Sequence, residues 1–306
     1  MRALVTGGTG FAGRHLASHC ADEGDEVLTL ARGGDVRADL LDADATRRAV
    51  AEADPEAVYH LAAQAHVGRS WQDPAGTLLG NVAMAANLLE AVRQEAPAAT
   101  VVAISSGEVY GPPATLPVDE RAPLRPQSPY AVSKAATDLL AGFYADAHGL
   151  RVTRARAFNH AGPGQEPTYA IASFARQIAL GAAVVVTGNP DARRDYTDVR
   201  DVVRAYRLLA AHGVPGEAYN VCSGHSASAA ELVRALAEQA GAAVEHRVDP
   251  GLVRAHEVME VRGAADRLRE ATGWAPRIPL ADTLRDTVRW WREQAAPAPG
   301  LEPGTA

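Results

Sequence analysis

Short apolar runs alternate with amphipathic stretches over the first half of the chain. RALVT (2–6), EVLTLA (26–31), the start of AVYHLAA (57–63), TVVAISS (100–106) and RVTRARAF (151–158) have strand character. Between them, GRHLASHCADEG (13–24) and the segments 74–96 and 129–148 have helical character. Strands that are apolar on both faces need helices on both sides, and strand–helix alternation supplies them. The pattern predicts an α/β fold built on a doubly wound parallel sheet of the Rossmann type. After Phe158 the rhythm breaks at the Gly/Pro-rich NHAGPGQEP (159–167). We expect a dinucleotide-binding domain of 1–158 with 195–222. A smaller α/β region for the substrate, 159–194 with 223–294, is expected at the carboxyl ends of the strands. The tail 295–306, AAPAPGLEPGTA, is expected to be disordered.

Directly after the first strand stands TGGTGFAG (6–13), with Gly7, Gly10 and Gly13 three apart. Glycines at this spacing let the backbone turn, approach a pyrophosphate and pack a helix onto the strand. The helix N-terminus then faces the phosphates. NAD sites of this kind carry an acid about 20 residues further on, bonded to the ribose 2′-hydroxyl. Here the second strand ends Leu30-Ala31-Arg32. Arg32 stands where that acid would be and suits a 2′-phosphate. NADP(H) is therefore the favoured cofactor, while Asp35 keeps NAD(H) open. Asp39, placed after a third strand, is a candidate partner for the adenine amino group.

Composition changes the picture at one residue. The chain has 30 Lys+Arg, and Lys134 is its one lysine. It closes SPYAVSK (128–134). Ser128 can cap a helix whose first turn holds Pro129. Tyr130 and Lys134 then stand one turn apart on the same face. A nearby cation favours a phenolate. Bringing a tyrosine from ~10 to ~7 takes about 4 kcal/mol. A planar guanidinium cannot act as the compact point charge that does this.

Charge and cysteine usage narrow the classes. A net charge of −7 and a pI near 5.8 make nucleic acid and anionic membrane poor partners. Cys20 and Cys222 have no metal or redox spacing and read as buried apolar residues. No run reaches transmembrane length and the chain opens on a strand, so a cytoplasmic protein is expected.

The glycine trio, ISSGEVYG (104–111) and SPYAVSK together resemble the extended short-chain dehydrogenase/reductases that act on nucleotide sugars, over nearly the whole chain. The resemblance implies a triad. Tyr130 gives or takes a proton, Lys134 lowers its pKa and holds the nicotinamide ribose, and Ser106 orients the sugar oxygen. It also implies cofactor contacts from Phe11, Leu40, Leu61, Ala62 and Ala63. FNHAGPGQ (158–165), RRDYTDVRDVVRAY (193–206), YNVCSG (219–224), VRAHEV (253–258) and TGWAPRIPL (272–280) are similar to the branch that reduces GDP-4-keto-6-deoxy-D-mannose. They are less closely similar to GDP-mannose 4,6-dehydratases. That branch implies a GDP-sugar, with Asn159, Arg194, Arg254 and Glu257 holding the diphosphate and ribose. Two arginines suit a diphosphate and a carboxylate suits vicinal hydroxyls. His160 reads as a structural hydrogen-bonding residue.

The pair Gly107-Glu108 separates two chemistries. Related 4,6-dehydratases place a glutamate at the position of Glu108 to remove the C5 proton, often beside an acidic or hydroxyl side chain. Gly107 has no proton to give. The expected activity is reduction of a C4 ketone, with Glu108 counted among the catalytic and substrate-binding residues. The alternatives are a 4,6-dehydratase, an epimerase with retained NAD(P), or a non-catalytic dinucleotide sensor. The resemblance also implies a homodimer built by helices 74–96 and 129–148.

Overall fold

A computed structural model describes residues 1–253 and 258–295. Arg254, Glu257 and the tail from residue 296 lie outside the described residues. In chain order the elements are β1 (Arg2–Thr6), α1 (Phe11–Asp22), β2 (Glu26–Leu30), α2 (Ala43–Ala53), β3 (Ala57–His60), α3 (Val67–Gln72), α4 (Pro74–Glu95) and β4 (Thr100–Ser106). A 3₁₀ turn (Gly107–Tyr110) follows, then α5 (Pro129–His148), β5 (Arg151–Ala157), β6 (Asn159–Ala161), α6 (Ala170–Ala179), β7 (Val184–Thr187) and β8 (Arg193–Asp198). The remainder is α7 (Val199–His212), β9 (Ala218–Val221), β10 (Ser226–Ser228), α8 (Ala229–Ala240), β11 (Glu245–Val248), β12 (Glu260–Val261), α9 (Asp266–Thr272) and α10 (Leu280–Ala295).

These elements form two compact units. The first comprises Met1–His160, Arg193–Ser226 and Val258–Arg277. Its sheet has the order β2-β1-β3-β4-β5-β9, and every pair is parallel. The chain runs outward from β1 to β2 and then returns to β3, so the winding reverses beside β1. Open sheets of this kind bind ligands at that reversal, beyond the carboxyl ends of the strands.

Helices cover both faces. On one, Leu16, Cys20, Val202, Leu209, Leu268 and Trp274 are buried with Val5, Tyr59 and Ala155. On the other, Val50, Leu88, Val92 and Ala141 are buried with Leu4, Val58, Val101 and Val152. Each fully buried aliphatic side chain contributes roughly 1.5–3 kcal/mol. This sandwich fixes where the strand ends present their side chains.

The structure differs from the sequence expectations in four places. The loop before α2 holds no third strand: Val36 makes an isolated bridge to Leu30, and the third strand is β3. Asp39 follows that bridge, its Oδ1 accepting from the Leu41 amide at 3.1 Å. Helix α2 itself escapes the pattern because its buried face is Thr46, Ala49, Val50 and Ala53, mostly small residues. Residues 258–277 belong to the first unit. There β12 pairs with β8, Glu260 opposite Arg193, and the Trp274 indole donates to the Asp201 carbonyl at 3.0 Å. Finally, α4 is long and apolar enough to cross a membrane, by length and composition only. Here it packs against α2 and α5, with Ala85, Leu88, Leu89 and Val92 buried.

The second unit comprises Ala161–Ala192, Ala227–Glu257 and the residues from Ile278. Helices α6, α8 and α10 pack together, burying Ile171, Phe174, Ile178, Leu232, Leu236, Leu284 and Val288. β7 and β11 form a parallel pair beside them. A capping box between Ser228 and Glu231 starts α8.

Candidate active site

The loop between β1 and α1 is shaped by close approaches. Gly7 has φ +69°, and a Cβ there would lie 2.9 Å from the Ala62 amide nitrogen. A Cβ on Gly13 would meet the Gly7 carbonyl oxygen at 2.1 Å. The Gly10 amide donates to the same carbonyl at 2.9 Å. Gly10 precedes α1 and caps it with no side chain. The N-terminus of this 12-residue helix therefore offers its first-turn N–H groups to an anion. Donors, dipole and bare backbone together fit the diphosphate of a dinucleotide. Beside the loop, Thr6 Oγ1 pairs with His60 Nδ1 at 2.9 Å and accepts from the Ala62 amide at 3.2 Å. The Leu61 amide donates to the Thr6 carbonyl at 3.3 Å, so Thr6 holds Leu61 and Ala62 as they leave β3, and Ala63 follows them. Burial, then the charge of Lys134, pushes His60 down to about 3, so it stays neutral. Phe11 stacks on His160 (ring centroids 6.1 Å), whose Nδ1 pairs with the Phe158 carbonyl at 3.1 Å.

At the end of β2, Arg32 is exposed. Asp35 turns back instead: its carboxylate accepts from Thr29 N at 3.0 Å and Thr29 Oγ1 at 2.7 Å. Those two bonds hold its pKa below the ordinary value. The nearest acid is thus engaged by the turn, and Arg32 faces solvent. Leu40 is buried, and its carbonyl accepts from Asn87 Nδ2 at 2.8 Å.

Helix α5 begins as its sequence dictates. Ser128 Oγ accepts from the Ala131 amide at 3.1 Å, with Pro129 in the first turn. Tyr130 and Lys134 follow on one face, both buried. Lys134 Nζ donates to the Ile104 carbonyl at 2.7 Å. Ile104 lies on β4 two residues before Ser106, so the ammonium is tied to the strand that carries the serine. Burial pushes Lys134 down to about 8, and the Asp138 carboxylate pulls the other way. Ser106 ends β4, and its Oγ accepts from the Glu108 amide at 3.2 Å, which caps the 3₁₀ turn. Glu108 is half-buried in that turn. Asn159 in β6 and Arg194 in β8 sit on paired strands, and Arg194 Nη1 donates to the Arg193 carbonyl at 2.8 Å.

A buried polar group behind these residues escapes sequence reasoning. Asp138 accepts from Arg154 Nη1 at 3.1 Å and from Arg156 Nε and Nη2, both at 2.9 Å. Arg156 Nη1 also donates to the Tyr110 hydroxyl at 3.0 Å, which donates to Asn220 Oδ1 at 2.7 Å. The usable signal is RVTRARAF: arginines at alternate positions of a central strand share a face and must be paired there.

Comparison with known proteins decides the family. Residues 3–222 match the NAD dependent epimerase/dehydratase family. The chain belongs to that family. The matched segment contains the six strands of the large sheet save Arg2 at the start of β1, with the glycine loop, Ser106, Tyr130 and Lys134. Within the family, the chain is 40% identical over 300 residues to a GDP-6-deoxy-D-mannose reductase of Pseudomonas aeruginosa, covering 96% of this chain and 98% of that protein. It is 33% identical over 315 residues to a UDP-glucose 4-epimerase of Mycolicibacterium smegmatis, covering 96% and 100%. A solved structure of RMD from Pseudomonas aeruginosa complexed with NADPH superposes with a TM-score of 0.89 at 39% identity, covering 96% of this chain and all of that one.

Proposed function

We propose that the protein uses NADPH to reduce the C4 ketone of a nucleotide-activated sugar, converting GDP-4-keto-6-deoxy-D-mannose to a GDP-6-deoxyhexose. The observation that carries this reading is the buried Lys134 ammonium, tied to β4 beside Ser106 and one turn from Tyr130. Support comes from the reductase of Pseudomonas aeruginosa and from the NADPH in the similar solved structure.

The glycine loop and the N-terminus of α1 would hold the cofactor diphosphate, Arg32 the 2′-phosphate and Asp39 the adenine. Phe11, Leu40, Leu61, Ala62 and Ala63 would line the remainder. When bound, NADPH supplies a hydride. The protein's own task is the proton and the charge at O4. Tyr130 gives its hydroxyl proton to that oxygen as the alcohol forms, Lys134 stabilises the phenolate left behind, and Ser106 orients the oxygen. Asn159, Arg194, Arg254 and Glu257 hold the nucleotide. Reduction needs no group beyond these. Glu108 supports a second reading, elimination across C5 and C6.

The test is cofactor absorbance with GDP-4-keto-6-deoxy-D-mannose and NADPH. One cofactor should be consumed for each GDP-6-deoxyhexose released; no consumption would end the reductase reading. Cofactor choice is expected to rest on Arg32. A charge-assisted hydrogen bond is worth about 1.5–3 kcal/mol. Arg32→Asp should therefore weaken NADPH binding roughly 10- to 100-fold and reverse the preference toward NADH in fluorescence titrations. Tighter NADH binding by the unmodified protein would reject the role of Arg32.

The reading includes a homodimer in the cytosol. Leu79 on α4 and Val132, Leu139 and Phe143 on α5 are exposed, and the last three lie along one helix face. Cys20 and Cys222 are free thiols, as suits a reducing compartment.

A further inference from the structure

The active-site lysine sits in an unusual electrostatic position. Its ammonium is buried and makes a hydrogen bond to a carbonyl, Ile104 O. A carbonyl dipole alone leaves a buried ammonium badly solvated, and a lysine so placed tends to shed its proton. The reaction needs the proton kept, since a neutral amine cannot stabilise the Tyr130 phenolate.

A carboxylate lies one helical turn further along the same face. Asp138 is four residues beyond Lys134 on α5, and its side chain is fully buried. Burial alone would favour a neutral acid there, but the guanidinium of Arg156, assisted by that of Arg154, holds it ionised, with its pKa below the ordinary value. The two arginines reach it from β5 with three hydrogen bonds of 2.9–3.1 Å. Other charged or titratable groups surround α5. His60 faces from β3 and is neutral. The 3₁₀ turn brings Glu108 and Tyr110, α3 carries His66 and Arg69, and on α4 Glu90 is engaged by Arg93 near the far end. Of these groups, Asp138 is the negative charge that acts on Lys134.

We infer that Asp138 is a positioning residue for the Tyr130–Lys134 pair: fixed by Arg154 and Arg156, its buried carboxylate supplies the negative charge that keeps Lys134 an ammonium in the working pH range. The inference rests on the reading of Tyr130 and Lys134 as the reacting pair only for its kinetic consequence. The electrostatic part stands on the structure of α5 and β5. It also fixes the sign of each change. Removing the carboxylate leaves Lys134 facing two uncompensated guanidinium groups, so its proton is lost at lower pH. Removing Arg154 leaves the carboxylate less neutralised, so the proton is held to higher pH. Loosening of the fold would admit water and raise the lysine toward its ordinary value, the opposite of the first effect.

Because Lys134 is the one lysine in the chain, ¹³C-lysine labelling gives a single side-chain resonance that reports its titration directly. We expect Asp138→Asn to move the midpoint down by about one pH unit, and the alkaline limb of kcat for NADPH-dependent reduction down with it. A midpoint that is unmoved or raised in that variant overturns the inference. Should Asp138→Asn fail to fold, Arg154→Gln decides. Its side chain is partly exposed and makes one bond to Asp138. An upward shift there supports the inference and an unmoved midpoint overturns it. The resonance is read in the full chain with and without NADPH, and no sugar is needed. Failure here is thus separate from failure of the reductase reading, which the turnover assay measures.

Discussion

Lys134→Arg is expected to leave a folded protein that binds cofactor and a GDP-sugar but turns over about 10²–10⁴-fold more slowly. Charge is conserved in this substitution, so the loss tests shape. The ammonium of Lys134 occupies a closed space and donates to the Ile104 carbonyl at 2.7 Å. A guanidinium is broader and planar and brings five donors where the site offers few acceptors. Its charge would be spread and displaced from the Tyr130 oxygen. Arginine also cannot reproduce a group that burial has brought down to about 8. Tyr130→Phe should lose a comparable factor by removing the proton itself. Steady-state kinetics with parallel binding titrations check both variants. Near-normal turnover in the arginine variant would deny Lys134 its special part.

Much of this site was legible because local chemistry dictates it. Apolar runs gave four strands of the large sheet, since a parallel sheet covered on both faces leaves little polar alternation, and the fifth, β5, was legible in spite of its alternating Arg154 and Arg156. Ser128-Pro129 marked the start of α5, and the structure shows both the cap and the proline turn. Gly7 and Gly13 were readable because a Cβ cannot enter the contacts that they make, and one on Gly10 would press on the Gly7 carbonyl oxygen at 3.2 Å. What stayed hidden was long-range or lacked apolar signal. Asp138 finds Arg154 and Arg156 at sequence separations of 16 and 18 residues, which no helical or strand period fixes. Residues 258–277 join the first unit through a two-residue strand, backbone bonds of Arg262 and Ala264 to Val118, and the buried Leu268 and Trp274, too scattered for a pattern. The loop before α2 read as leading out of a strand because Val36 and Leu40 are apolar. They are buried without a ladder of hydrogen bonds, beyond one isolated bridge. Arg254 and Glu257 fall outside the described residues, so their part in nucleotide binding stays with the proposal.

Given GDP-mannose, the protein is expected to form no 4-keto-6-deoxy sugar, with or without added cofactor. Elimination across C5 and C6 needs a base and an acid held to different tasks in one site. Glu108 could serve as the base. Its neighbour is Gly107, and the structure shows why that position is bare. A Cβ on Gly107 would lie 3.0 Å from two ring carbons of Phe158. That ring is buried, and its far end is also closely approached: a Cβ on Gly263 would come within 2.6 Å of Cζ. Two glycines thus lie close against this buried ring, and a side chain added at 107 must push against it. Overpacking of this kind costs about 1–3 kcal/mol. Gly107→Asp is therefore expected to lower stability by that order and to weaken reduction, without creating a dehydratase. Mass analysis of the sugar nucleotide reads the outcome. Loss of water from GDP-mannose by the unmodified protein, without net consumption of NADPH, would make Glu108 the catalytic base and replace reduction with elimination as the chemistry of this site.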